Sequence, residues 1–149
     1  MGNRVVGPAP APEGGYLMPS TAAFLGIAVG ATVYFLLSKA LGVHVEVWQG
    51  INTFTNPKWF AAVAVVPALS GFVTGIIAGH HGKWYAMIPV LLLHSADYAK
   101  LYNTPGAEQV VLGYGLFIFF MIIMLELALM AGWGGELIRA RKAGEDARA

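Results

Sequence analysis

Long runs without a charged side chain alternate along this chain with short stretches rich in Pro, Gly, Asn and aromatic residues. No charge occurs from Pro19 to Ser38, and with Met18 and Lys39 to Val43 added the run is long enough to cross roughly 30 Å of hydrocarbon. A second uncharged run extends from Trp59 to Gly79. A third segment runs from Trp84 to Tyr102, and a fourth from about Glu108 to Trp133. In hydrocarbon every backbone amide needs an internal partner, so such runs become helices. The pattern predicts an all-α, integral membrane four-transmembrane-helix bundle, with helices over about 19–41, 58–79, 84–102 and 108–133.

The breaks have their own chemistry. Gly7-Pro8-Ala9-Pro10-Ala11-Pro12 and Gly14-Gly15 make residues 1–18 a flexible arm. The apolar part of a cleaved signal peptide is normally about 7–15 residues and closely follows a basic start. Here a longer run follows the single Arg4 at a distance, so it reads as a span. Val43-His44-Val45-Glu46-Val47-Trp48 alternates apolar with polar and suits a short extended or interfacial segment. Asn56-Pro57 offers a cap followed by Pro at the first helical position. Gly79-His80-His81-Gly82-Lys83 predicts a tight polar turn of solvated histidines, and Asn103-Thr104-Pro105-Gly106 a further break. Gly134-Gly135 is expected to release a charged cytoplasmic tail over 134–149, most simply a helical extension whose basic residues meet anionic headgroups, with a docking segment for a soluble partner as the alternative. Pro67 and Pro89 fall inside the second and third helices and should bend them, leaving a carbonyl for Ser70 or Thr74.

The tryptophans support this division. Trp48, Trp59, Trp84 and Trp133 all lie at or beside a boundary, as indole rings do at the headgroup level, and we expect them to act as interface anchors. An even number of crossings puts both termini on one side. That side holds Arg4, Lys83, Arg139, Arg141, Lys142 and Arg148 against Lys39, Lys58 and Lys100 on the other, which makes the termini cytoplasmic in a bacterial inner membrane.

Composition agrees. The chain is 57% apolar and 11% charged over 149 residues, where a soluble domain carries roughly 25% charged residues. Mean hydropathy is +0.64. A net charge of +1 with scattered Lys and Arg gives no field for nucleic acid. The absence of Cys excludes disulfides, thiolate catalysis and Cys-held zinc or iron–sulfur clusters, and no phosphate-binding glycine motif occurs.

Two kinds of residue are candidates for function. Ala22, Gly26 and Gly30 in the first helix and Gly71, Gly75 and Gly79 in the second recur every four residues, a spacing that lets helix backbones approach. The simplest expectation is that the first helix packs on the second. His94, Asp97 and Glu126 are ionisable groups inside spans, where a charge facing lipid costs roughly 2.5–3.5 kcal/mol. At about 1.5 Å per residue from the flanking tryptophans, Glu126 lies about 10 Å deep, His94 about 15 Å and Asp97 about 20 Å. They form a ladder that could pass protons, a buried polar cluster or a structural clasp, and Asp97 could instead pair with Lys100. The trio could also ligate a cofactor, which the residues do not identify; a single intramembrane His disfavours a bis-His haem, and no metal-ligand set stands out. Phe117, Phe119, Phe120, Met121, Met124 and Met130 read as lipid contact and core filling.

The leading expectation is a non-catalytic integral membrane subunit of a larger inner-membrane complex, packing through its glycine-striped helices. Its partners would be the bilayer and other membrane subunits, or further copies of itself. An oligomeric channel or proton-coupled small-solute transporter using His94, Asp97 and Glu126 is the alternative. A membrane enzyme acting on a lipid or quinone stands third.

Overall fold

The computed structural model describes residues 21–106 and 111–146. The arm over 1–18 and the expected start of the last helix at Glu108 lie outside the described residues. The chain is all-helical: α1 (Thr21–Leu41), the short α2 (Asn52–Thr55), α3 (Pro57–Ala78), α4 (Gly82–Tyr85), α5 (Met87–Tyr102) and α6 (Tyr114–Asp146). Among the described residues no strand forms, only one antiparallel bridge between Val47 and Val111. Among the described residues three helices, α1, α3 and α6, are long and apolar enough to cross a membrane.

The third expected helix differs. It is divided at Ala86, and its longer part, α5, has 16 residues, short of the roughly 20 a span needs. The cause is Pro89. Lacking an N–H, it cannot bond the Tyr85 carbonyl four residues back, so the helix restarts at Met87 with the proline in its first turn. Pro67 is treated alike: a π-helical turn at Ala61–Val65 comes before it, and regular α-helix resumes at Val66. Neither Ser70 nor Thr74 serves as a partner for a proline-freed carbonyl. The Ser70 hydroxyl donates to Gly30 O of α1 at 2.8 Å, and Thr74 donates to Ser70 O at 2.9 Å. As expected, Pro57 occupies the first turn of α3, and the Asn56 side chain accepts the Lys58 N–H at 3.0 Å.

Small residues set the packing, but the two glycine stripes do not face each other. On α1 the buried stripe is Ala23, Gly26, Gly30 and Tyr34, with Ala22 half-buried beside it. A Cβ on Gly26 would come 3.0 Å from Thr74 O of α3. The stripe of α3 turns instead to α6, where a Cβ on Gly71 would overlap the Ala128 backbone and one on Gly75 that of Gly132. Gly79 belongs to neither; with φ +69° it ends α3 beneath the Arg139 guanidinium.

The tail is helical as expected, but the break expected at Gly134-Gly135 does not occur. Helix α6 does not stop at Trp133 but continues through Gly134-Gly135 to Asp146. Gly135 lies against α3, where a Cβ would sit 2.5 Å from Phe72 O, while nothing lies within 4 Å of a Cβ on Gly134. The extension reaches back over the α3–α4 turn. The Glu136 carboxylate accepts the His81 N–H at 3.2 Å and the Lys83 N–H at 3.5 Å. Arg139 donates to the Ile76 and Ile77 carbonyls. A carboxylate thus meets free amides at one helix start and a guanidinium the last carbonyls of another, as the helix dipoles favour.

Candidate functional site

The site lies at the end of the bundle away from that clamp. After α1 the chain turns at Gly42, whose φ of +63° suits glycine, and residues 43–48 fold back inward as a strap. The Leu112 N–H donates to Glu46 O at 2.7 Å, beside the Val47–Val111 bridge. Tyr98 of α5 in turn donates its hydroxyl to Leu112 O at 2.9 Å. Two loops and a helix therefore hold the Glu46 backbone in place.

Glu46 Oε1 lies 2.7 Å from His94 Nδ1, the one ion-pair contact among the described residues. Both side chains are buried, His94 at 1% exposure and Glu46 at 5%. The approach is close but off the direction of a ring N–H, so neither imidazole nitrogen has a directed hydrogen bond. Phe117 stacks between His94 and Tyr98, its ring centroid 5.1 Å from the first and 3.9 Å from the second. Val90, His94 and Tyr98 recur every four residues, which puts them on the inward stripe of α5.

A cleft of about 280 Å³ opens beside this pair between α1, the strap and α5, with Tyr34, Ser38, Lys39, Glu46, Leu93 and Asp97 in its wall. It carries two carboxylates and one ammonium, and Lys39 Nζ also lies 5.6 Å from the Phe35 ring centre. Acid, imidazole, phenol and amine are thus gathered at one end of the bundle, a set able to bind a small charged solute or relay a proton.

The expected trio of His94, Asp97 and Glu126 does not assemble. His94 is in the core, but its partner is Glu46. Asp97 lies at the cleft and is exposed, and it makes no ion pair with Lys100. Glu126 points outward from α6. Among the tryptophans Trp48, Trp84 and Trp133 are exposed, whereas Trp59 is 3% exposed and belongs to the core, edge-on to Phe54, Phe60 and Phe120. Sequence reasoning missed Glu46 and Tyr34. The signal for Glu46 was the alternation over 43–48, which marks backbone able to pair. For Tyr34 it was the four-residue step beyond Gly26 and Gly30. No family model, curated protein or solved structure matches this chain.

Proposed function

We propose that this protein is a non-catalytic integral membrane subunit of a larger assembly in a bacterial inner membrane, and that it meets its partner chains through the outward face of α6. Glu126 carries this reading. It is exposed among Phe119, Ile122, Met130 and Trp133, all more than half exposed, on a helix apolar enough to span a bilayer. A carboxyl facing hydrocarbon is unfavourable by roughly 2.5–3.5 kcal/mol, so a polar group of another chain is its natural cover. The glycines favour the same face, because Gly26, Gly30, Gly71 and Gly75 are all used within the chain.

In this reading α4 and α5 together make the fourth crossing. Gly82 to Tyr102 would extend about 31 Å at 1.5 Å per residue. Lys83, Arg139, Arg141 and Lys142 then share one end of the bundle and Lys39, Lys58 and Lys100 the other, which favours cytoplasmic termini. Purification in mild detergent should bring down stoichiometric partner chains, lost in Glu126→Leu and retained in Glu126→Gln. A lone chain or stable homo-oligomer, unaltered by Glu126→Leu, refutes the reading.

One observation favours a second reading, a proton-coupled carrier of a small solute. It is the buried Glu46–His94 contact at the cleft, in place of the trio expected from sequence. Proton flux into liposomes containing the purified chain would support it. Equal flux with Glu46→Gln would exclude this pair as the route.

A further inference from the structure

On the other side of the strap lies a second cavity, of about 230 Å³, between the strap, residues 49–56 and the start of α3. We infer that it binds the carbonyl group of a neutral amphiphile, with the Trp59 indole N–H as the buried donor. This goes beyond the subunit role and does not depend on what covers α6.

Trp59 lines the cavity, and its Nε1 is buried with no hydrogen-bond partner. A buried indole N–H usually has one, and leaving it unmade costs about 1–3 kcal/mol. The ring cannot swing out to find a partner in solvent, since Phe54, Phe60 and Phe120 hold it edge-on with centroids 5.0–5.8 Å away. The remaining polar lining comes from His44, Gln49, Thr53 and Asn56, with no Lys, Arg, Asp or Glu among the described residues. Two acceptor positions there are already in use. Asn56 Oδ1 accepts from the Lys58 N–H and Thr53 Oγ1 from the Gln49 N–H, so the two side-chain amides, the Thr53 hydroxyl proton and the indole can donate, against the Gln49 amide oxygen as a remaining side-chain acceptor. A donor-rich cavity without charge suits a neutral acceptor better than an ion.

The surroundings specify an amphiphile. Trp48, Ile51 and Phe54 belong to the same loop region as the cavity wall and are exposed, Ile51 at 80%. The volume admits a small ring or an ester group but no long chain, so an apolar tail would run out over these residues. A ring carbonyl of a quinone and an ester carbonyl of a glycerolipid offer the same acceptor.

The test uses the full chain labelled with ¹⁵N-tryptophan in a maltoside detergent, which has no carbonyl. Four tryptophans give four indole signals. Trp59→Phe assigns the relevant one; if that variant fails to fold, Phe replacements of the exposed Trp48, Trp84 and Trp133 assign it by elimination. The protein is titrated separately with a decyl-substituted benzoquinone and with dihexanoylphosphatidylcholine. The Trp59 signal should move downfield and saturate, and Gln49→Ala should weaken the half-saturation about fivefold, the loss of one hydrogen bond. Response to the quinone alone identifies a ring carbonyl, and response to the lipid alone an ester. A Trp59 signal that stays still with both, or four indoles drifting together without saturation, overturns the proposal.

Discussion

Replacing Glu46 and His94 by leucine, singly and together, tests whether their contact organises the site. The atoms are 2.7 Å apart and both side chains are almost wholly removed from solvent. Each single change leaves one polar or charged group buried without its partner, which destabilises by about 3–5 kcal/mol. In the double variant both groups give way to apolar side chains of similar size. The strap stays tied through the backbone, because the Leu112 N–H to Glu46 O bond is indifferent to the side chain. The pair of changes should therefore be nearly neutral, within about 1 kcal/mol of the parent, giving a coupling energy above roughly 5 kcal/mol. Reversible unfolding in mixed micelles, followed by circular dichroism across an SDS titration, measures all four proteins. A Glu46→Leu protein as stable as the parent, or a double variant as unstable as the sum of the singles, would show that the contact organises nothing.

Three further outcomes follow from the packing. The adjacent glycines of α6 should respond with opposite signs: Gly134→Ala, in open space, should stabilise by about 0.5–1 kcal/mol, whereas Gly135→Ala, pressed on Phe72 O, should destabilise. The same SDS titration reads both, and equal effects would contradict the helix register. Arg139→Ala removes the cover over Ile76 and Ile77 and should speed hydrogen exchange of the backbone amides over 77–83, with the strap amides unchanged. Ser70→Ala removes the hydroxyl that reaches Gly30 O and should cost about 0.6–2 kcal/mol; no change would mean that the bond is not formed in the folded protein.

Much of the architecture is legible in the sequence because it depends on local properties. The uncharged runs mark α1 and α3 to within a few residues, and Asn56-Pro57 marks the start of α3 by its capping chemistry. The site is legible only in part. Depth along a rod can be counted from its ends, but the rotation of each rod cannot. On α6 all faces are similarly apolar, so nothing in the spacing tells that Met124 and Ala128 face inward while Glu126 faces outward. His94 is different, since Val90 and Tyr98 share its stripe. Its partner stayed hidden because Glu46 sits in a loop, and its inward path depends on distant backbone bonds to Leu112 that no local pattern encodes. The glycines show a similar limit: their spacing announces close approach, but not whether the neighbour is α1 or α6.

The reach of α6 back over the α3–α4 turn bears on how the chain is made. The turn emerges first, and the carboxylate that satisfies His81 N–H follows 55 residues later, the guanidinium over Ile77 O 62 residues later. Until those arrive, the α3–α4 turn has free carbonyls at the end of one helix and free amides at the start of the next, so it is completed only once α6 has been made past Arg139. A chain truncated before Glu136 would retain every apolar helix that is long enough to span and still lack the lock on its central hairpin. Such a product should enter the membrane and then be cleared by proteolysis at residues 79–83, in pulse-chase experiments where the full-length protein persists.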